Sequence, residues 1–279
     1  MDLCNYHSHC SFCDGRAPME DFVQAAVAAG FHSYGISSHA PLPFASPCAM
    51  TGEAVEVYLA EIARLKRKYE GQIELYAGME MDYLDEAYGP ALAYFQRMPL
   101  DYRIGSVHYV KEPETGQWMD MDGPFEVFQE NLQHIFEGDL GRLVKTYFAV
   151  STRMVELGGF DFVAHPDKIV MNGSLHDPEL PEREWFQRLV KDLLALIAEK
   201  GLMVEVNTKA YGRRGMFFPD KRYFRYLKDL KLPVLVNSDA HYPALINEGR
   251  AEAFAALRAV GIRHTMRLSR GRWMEVEIN

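Results

Sequence analysis

The sequence predicts an α/β fold in a single domain, its mainly parallel strands closing into a barrel of seven βα units. Three observations carry that prediction. Short apolar runs alternate with amphipathic helical stretches from one end of the 279 residues to the other. Histidines and carboxylates close nearly every run, and no segment rich in Pro, Gly or Ser divides the chain. Alternating βα units bury a parallel sheet on both faces. An open sheet would gather ligands near one switch point and leave distant strands unused, so ligands on nearly every strand end favour closure.

In order, the strands are expected at 2–6, 33–37, 73–79, 101–107, 161–164, 202–206 and 233–236. Helices are expected at 19–30, 53–70, 87–97, 124–138, 141–158, 182–200, 219–230 and 248–260. In the second helix Val57, Ile62, Leu65 and Tyr69 fall near one face, with Glu61, Lys66, Arg67 and Lys68 mostly on the other. Gly30 and Gly201 stand where C-terminal caps belong. The stretch after His264 reads as a final hairpin around Arg270-Gly271. No internal repeat appears, so one domain over 1–279 is expected.

A hydrophobic share of 48% and a charged share of 25% suit a globular chain with a sizeable core. The net charge of -9 argues against nucleic acid as a partner, because non-specific binding needs a basic surface. An anionic substrate stays compatible, since bound cations would dominate the local field. No apolar run approaches the ~20 residues that span a membrane, and MDLCNYHSHC lacks the basic and apolar regions of a secretory leader. The four cysteines, Cys4, Cys10, Cys13 and Cys48, crowd into the first fifth of the chain and form no disulfide framework, which predicts a reduced, cytoplasmic setting. Cys10 and Cys13 make a CxxC with no second pair, so packing near the site is favoured over redox chemistry or zinc ligation. The oligomeric state is left open.

The run-ending residues carry the chemistry. His7 and His9 close the first strand, with Asp14 just beyond; His39, Glu80, His108 and His165 close the next four; Asp239 and His241 close the last. An i, i+2 spacing on extended chain puts two side chains on one side, where they can share an ion. Imidazole and carboxylate together suit zinc, iron and manganese. HxH alone is weak; with Asp14-Gly15, the later strand ends and Asp239-Ala240-His241, it predicts a site for several metals.

The chain resembles the PHP (polymerase and histidinol phosphatase) family through HSHCSFCDG at 7–15, SSH at 37–39, GME at 78–80, SVH at 106–108, AHPD at 164–167, EVNT at 205–208 and SDAH at 238–241. EVNT followed by the basic YGRR, and the FFP at 217–219, resemble its histidinol-phosphate phosphatase branch. That resemblance implies a distorted (β/α)7 barrel holding three divalent metal ions, of Zn, Fe or Mn. It implies a first metal on His7, His9, Glu80 and Asp239, a second on the bridging Glu80 with His108 and His165, and a third on Asp14, His39 and His241. Many members carry histidine where Asp14 stands; aspartate favours a harder ion such as manganese or iron, and zinc also fits.

A water bridging two divalent ions loses a proton near neutral pH, and phosphoryl transfer needs mainly positioning and charge stabilisation. Asp239 and His241 are the candidates for helping the alkoxide leave. Lys209, Arg213 and Arg214 are expected in a loop after the sixth strand, read either as solvated or as gripping the small phosphorylated substrate. Glu205 reads either as a partner orienting a ligand histidine or as a cap on its strand end. Asp167 and Lys168 are expected near the ligands or in the following loop. Asp82, Asp85 and Glu86 are expected at a solvated helix start, and His32, His134, His176 and His264 at the surface.

The expected activity is hydrolysis of L-histidinol phosphate in histidine biosynthesis, the substrate resting on the resemblance. Rivals are action on another small phosphomonoester or a nucleotide, a non-catalytic metal-binding module, and amidohydrolase-type cleavage of a C–N bond. Retention of every ligand weighs against the module. Glu80 at the bridging position, where a carboxylated lysine is usual, weighs against the amidohydrolase.

Overall fold

The computed structural model describes residues 3–278; Asp2, where the first expected strand begins, and the extreme ends of the expected domain lie outside them. The strands are β1 (Cys4–Asn5), β2 (Ser33–Ile36), β3 (Glu74–Ala77), β4 (Glu80–Asp82), β5 (Ile104–Ser106), β6 (Tyr109–Lys111), β7 (Trp118–Asp120), β8 (Phe162–Val163), β9 (Met203–Asn207), β10 (Val234–Asn237), β11 (His264–Ser269) and β12 (Arg272–Glu277). They assemble as two parallel sheets, β1-β2-β3 and β10-β9-β8-β5-β4, with the hairpins β6–β7 and β11–β12 beside them.

The third expected strand, 73–79, stops as β3 at Ala77, and β4, which was not expected, begins just past its end at Glu80; β3 pairs with β2 and β4 with β5, in different sheets. The gap between β3 and β4 lies against a buried ring. A Cβ on Gly78 would sit 2.1 Å from the Tyr102 ring, and one on Gly35 2.2 Å from its hydroxyl. The two glycines therefore form the seat of this fully buried tyrosine, which donates its hydroxyl proton to Tyr6 O at 2.6 Å.

The sheets meet at both margins. A single parallel bridge joins His39 to Glu80, and another joins Ser8 to Ala240. At the second margin Tyr6 N donates to Asn237 Oδ1 at 2.8 Å and His9 N to Ala240 O at 2.9 Å. Arg250, 1% exposed, donates to Cys4 O and Val236 O and so ties β1 to β10 from outside. Tyr6, Tyr76, Ile104, Phe162, Met203 and Leu235, drawn from both sheets, share one buried cluster with Leu268 of the last hairpin, against which Trp273 packs.

Helices Met19–Ala28, Ala54–Lys68, Phe125–Ile135, Leu140–Leu157, Glu184–Glu199 and Arg250–Ala259 occupy the expected stretches. In the second, the buried face is Val55, Tyr58, Ile62 and Leu65, while Val57 is 59% exposed and lies off the stripe. The helix expected at 87–97 shrinks to Ala93–Gln96: Pro90 disfavours helical backbone at Gly89, and Leu92, extended at ψ 137°, holds off the helix until Ala93. The stretch 219–230 opens with a 3₁₀ turn, Lys221–Tyr223, before Phe224–Asp229. Val170–His176 and the single turn Tyr211–Arg214 are additional helices, and the latter carries both arginines expected in a loop. Among the described residues no helix is long and apolar enough to cross a membrane.

Candidate metal centre

The carboxyl ends of the parallel strands bring the expected ligands together. Between β1 and the helix that follows, the chain doubles back so that Gly15 lies on the His9–Cys10 backbone, where a Cβ would come within 2.4 Å. This turn returns Asp14 beside His9 and His241, with Asp14 Oδ2 3.3 Å from His241 Nε2. Bridge pairing at both sheet margins aligns His39 with Glu80 and Ser8 with Ala240. His165 and Asp239 turn at their strand ends with φ of 27° and 47°, a left-handed backbone that is uncommon for non-glycine residues.

Glu80 is the hub. Its Oε2 lies 3.1 Å from His7 Nε2, 3.3 Å from His9 Nε2 and 3.1 Å from His39 Nδ1. Its Oε1 lies 3.0 Å from His165 Nε2 and 3.5 Å from His108 Nε2. Asp239 Oδ1 is 3.2 Å from His9 Nε2 and 3.7 Å from His7 Nε2. Donor atoms lie within 4.8 Å of one another in four sets: His9, Asp14, His39 and His241; His7, His165 and Asp239; His7, His9 and Glu80; His39, Glu80 and His108. The sets divide the nine expected ligands differently from the resemblance, since His165 falls with His7 and Asp239, and His39 reaches toward Glu80 as well as Asp14.

The donor set fits divalent cations. His7 Nε2, His9 Nε2, Glu80 Oε2 and Asp14 Oδ1 are buried yet make no hydrogen bond. Lone-pair atoms so close together and so dry are costly unless a cation gathers them. Burial by itself would raise the Glu80 carboxyl, but the facing His7, His39 and His108 rings outweigh it and hold it well below the usual carboxylate range. Asp239 is held down in the same way, against burial, by Lys209 and His7. Burial draws His241 down to about 4, with the Lys209 ammonium and His9 acting in the same sense.

Ring orientation comes from behind. His7 Nδ1 lies 2.8 Å from Glu205 Oε1, and His108 Nδ1 lies 3.0 Å from Asp82 Oδ1, which also accepts His108 N at 2.8 Å. Asp82 is therefore no solvated helix start: it is 5% exposed, on β4, while Asp85 and Glu86 lie beyond the strand at less buried positions. The Glu80-x-Asp82 spacing repeats the His7/His9 alternation and was the signal for it. Cys13 Sγ lies 3.5 Å from His9 Nδ1, and Cys10 Sγ lies 3.3 Å from Ser38 Oγ.

Above the cluster opens a cavity of about 690 Å³ whose wall carries Lys168, Lys209, Arg213 and Arg214. Lys209 Nζ stands 3.3 Å from Asp239 Oδ1 and 3.4 Å from His241 Nε2. Lys168, 4% exposed, points its ammonium 3.1 Å from Asp122 Oδ2 and 4.0 Å from Asp239 Oδ2. Arg214 donates Nη1 to Met171 O at 2.6 Å, whereas Arg213 is exposed, so the two adjacent guanidiniums are not equivalent. Asp120 and Asp122 reach the cavity from the unexpected hairpin. His32, His134, His176 and His264 are exposed.

Comparison with known proteins shows the family and the fold. The PHP domain model matches residues 4–209. A "probable histidinol-phosphatase" of Deinococcus radiodurans is 28% identical over 268 residues, covering 93% of this chain and 94% of the relative. The histidinol-phosphatase of Bacillus subtilis is 26% identical over 260 residues, covering 84% and 92%. Among solved structures, the histidinol phosphate phosphatase of Lactococcus lactis, complexed with zinc, L-histidinol and phosphate, shares the fold with a TM-score of 0.72 at 18% identity, covering 97% of this chain and 98% of that one. A Listeria monocytogenes structure does so at 0.79 and 21% identity, covering 90% and 99%. With nearly three-quarters of its length matched by the family model, this chain belongs to the PHP domain family.

Proposed function

We propose that the chain closes its two sheets into one distorted (β/α)7 barrel domain and hydrolyses L-histidinol phosphate to L-histidinol and phosphate, a cytoplasmic step of histidine biosynthesis. One observation carries the reading: buried, unbonded nitrogen and oxygen donors from strand ends around both sheets converge beneath a rim of lysine and arginine. Closure is supported by the bridges at both sheet margins and by the interior cluster to which both sheets contribute.

Three divalent ions, of zinc, iron or manganese, would be held by His7, His9, Asp14, His39, Glu80, His108, His165, Asp239 and His241. When bound, they supply Lewis-acid activation of water and neutralise phosphate oxygens. The protein residues do the rest. Glu80, shared among the rings, keeps the donors within one pocket. Lys168, Lys209 and the Arg213–Arg214 pair receive the phosphate oxygens, guanidinium by paired N–H donors and ammonium as a point charge. Asp239, beside Lys209, accepts the proton of the attacking water and returns it to the histidinol oxygen as the bond from phosphorus to that oxygen breaks, while His241 stands next to it at the cavity wall to orient that oxygen. The buried floor excludes bulk water, which strengthens each of these interactions.

The test is phosphate release from L-histidinol phosphate beside a panel of phosphomonoesters and nucleotides, with metals counted on the same sample. We expect a clear preference for histidinol phosphate; equal, slow release from every substrate would overturn the substrate assignment.

A further inference from the structure

We propose that Glu205 is a positioning residue for the metal cluster, a buried carboxylate whose four accepted hydrogen bonds set the direction of His7, His165 and Asp239 together; this rests on the metal reading above. Glu205 lies on β9 with no solvent exposure. Its Oε1 faces His7 Nδ1 at 2.8 Å and accepts from Asn237 Nδ2 at 3.0 Å. Its Oε2 accepts from His165 N at 3.1 Å and from Asn207 Nδ2 at 2.9 Å.

The two asparagines cannot turn around. Asn237 Oδ1 is taken by Tyr6 N at 2.8 Å, and Asn207 Oδ1 by Lys209 N at 3.0 Å. Each amide nitrogen must therefore point at Glu205, and the carboxylate has four donors for its roughly four lone-pair sites. With its acceptors filled this way, Glu205 obliges His7 to donate from Nδ1 and to turn the lone pair of Nε2 toward Glu80 Oε2, 3.1 Å away. The bond to His165 N fastens the residue whose φ is 27°. Asn207 Nδ2 extends the network, lying also 3.2 Å from Asp239 Oδ2. One side chain thus orients a ring, a left-handed backbone and a carboxylate at the ends of three strands.

Glutamine has the same shape and cannot do this. It offers one acceptor oxygen and one amide group, so one edge would oppose donor to donor. An amide facing His7 would reverse that ring's tautomer and place a proton on Nε2; an amide facing the other edge would oppose His165 N and Asn207 Nδ2. A residue that only ended the strand would tolerate the change.

The experiment titrates zinc into chelator-stripped full-length protein against a chromophoric chelator, native beside Glu205→Gln, with circular dichroism and melting to establish folding. We expect the variant to bind zinc about 10–100-fold more weakly, the range for partners that orient metal ligands. Zinc affinity within twofold of native overturns the role of Glu205 and leaves the functional reading standing. A native chain that takes up none of zinc, manganese or iron(II) overturns both. Where Glu205→Gln fails to fold, the zinc-loaded native protein, with ring-¹⁵N histidine, decides by NMR: a proton on His7 Nδ1 with zinc on Nε2 is expected, and zinc on Nδ1 contradicts the proposal.

Discussion

The floor and the mouth of the cavity are built in opposite ways. On the floor, His7, His9, Glu80, Glu205 and Asp239 are at most 2% exposed and stand within strands or just beyond their ends. At the mouth, Lys209 follows β9 directly, Arg213 and Arg214 come in the short turn of helix after it, and Asp120 and Asp122 arrive at and just past the end of a separate hairpin. A floor fixed by sheet pairing gives a preorganised donor set, which metal binding and catalysis demand. A mouth carried on short connections can be recut for a different phosphorylated substrate without disturbing the floor. Reaction class should then follow the floor and substrate preference the mouth.

The largest expected effect is on the floor. Glu80→Ala or His9→Ala should lower kcat/KM by at least ~10³-fold, as loss of a group acting within one catalytic unit does. Circular dichroism should remain native-like and metal content should fall; retained turnover would break the distinction at its strongest point. Asp82→Asn, behind His108, should weaken zinc binding by about tenfold without touching the substrate, measurable by the same chelator competition.

At the mouth the effects should be smaller and of another kind. Arg214→Ala should raise KM about tenfold or more with a lesser change in kcat, the cost of one charge-assisted hydrogen bond. Arg213→Ala should raise it less, because Arg213 is exposed and Arg214 is tethered at Met171. Steady-state kinetics on the single and double variants measure this, and unchanged constants in all three would return the pair to a solvated role.

Away from the cavity, the smallest effect is a control. Glu20 is held down to about 2 by Lys68 first and Arg64 next, and it accepts from Arg64 Nη2 at 2.6 Å. Because the folded value lies below the unfolded one, its stabilisation is present above about pH 4.5 and is lost as pH falls through about 2. Glu20→Gln should flatten that acid limb in urea unfolding without altering metal binding, and high salt should shrink the native limb too.

The floor was legible because strand ends announce themselves: an apolar run closing on His, Glu or Asp names both the element and the direction of its last side chain. The strands expected at 33–37, 202–206 and 233–236 agree with β2, β9 and β10 to within one residue at each boundary. The strand expected at 73–79 gave no sign of β4 just beyond it in the other sheet, nor of Gly78 and Gly35 seating Tyr102, whose ring comes from a distant part of the sequence. Asp82 departs from the solvated helix start expected for it because it continues a strand: the Glu80-x-Asp82 alternation carries that signal, and the buried contact with His108 shows its role. The hairpin β6–β7 has three residues per strand, too few for any periodicity to register. How donors are shared depends on ring rotations, to which motif spacing is blind.

The most direct measurement is phosphate release from L-histidinol phosphate by the full-length protein as purified, after stripping with a chelator, and after returning zinc, manganese or iron(II). We expect turnover that disappears on stripping and returns with the ions bound in a fixed ratio to protein. Release that persists undiminished in the stripped protein, or a protein that binds no divalent ion, would contradict the metal-centred reading.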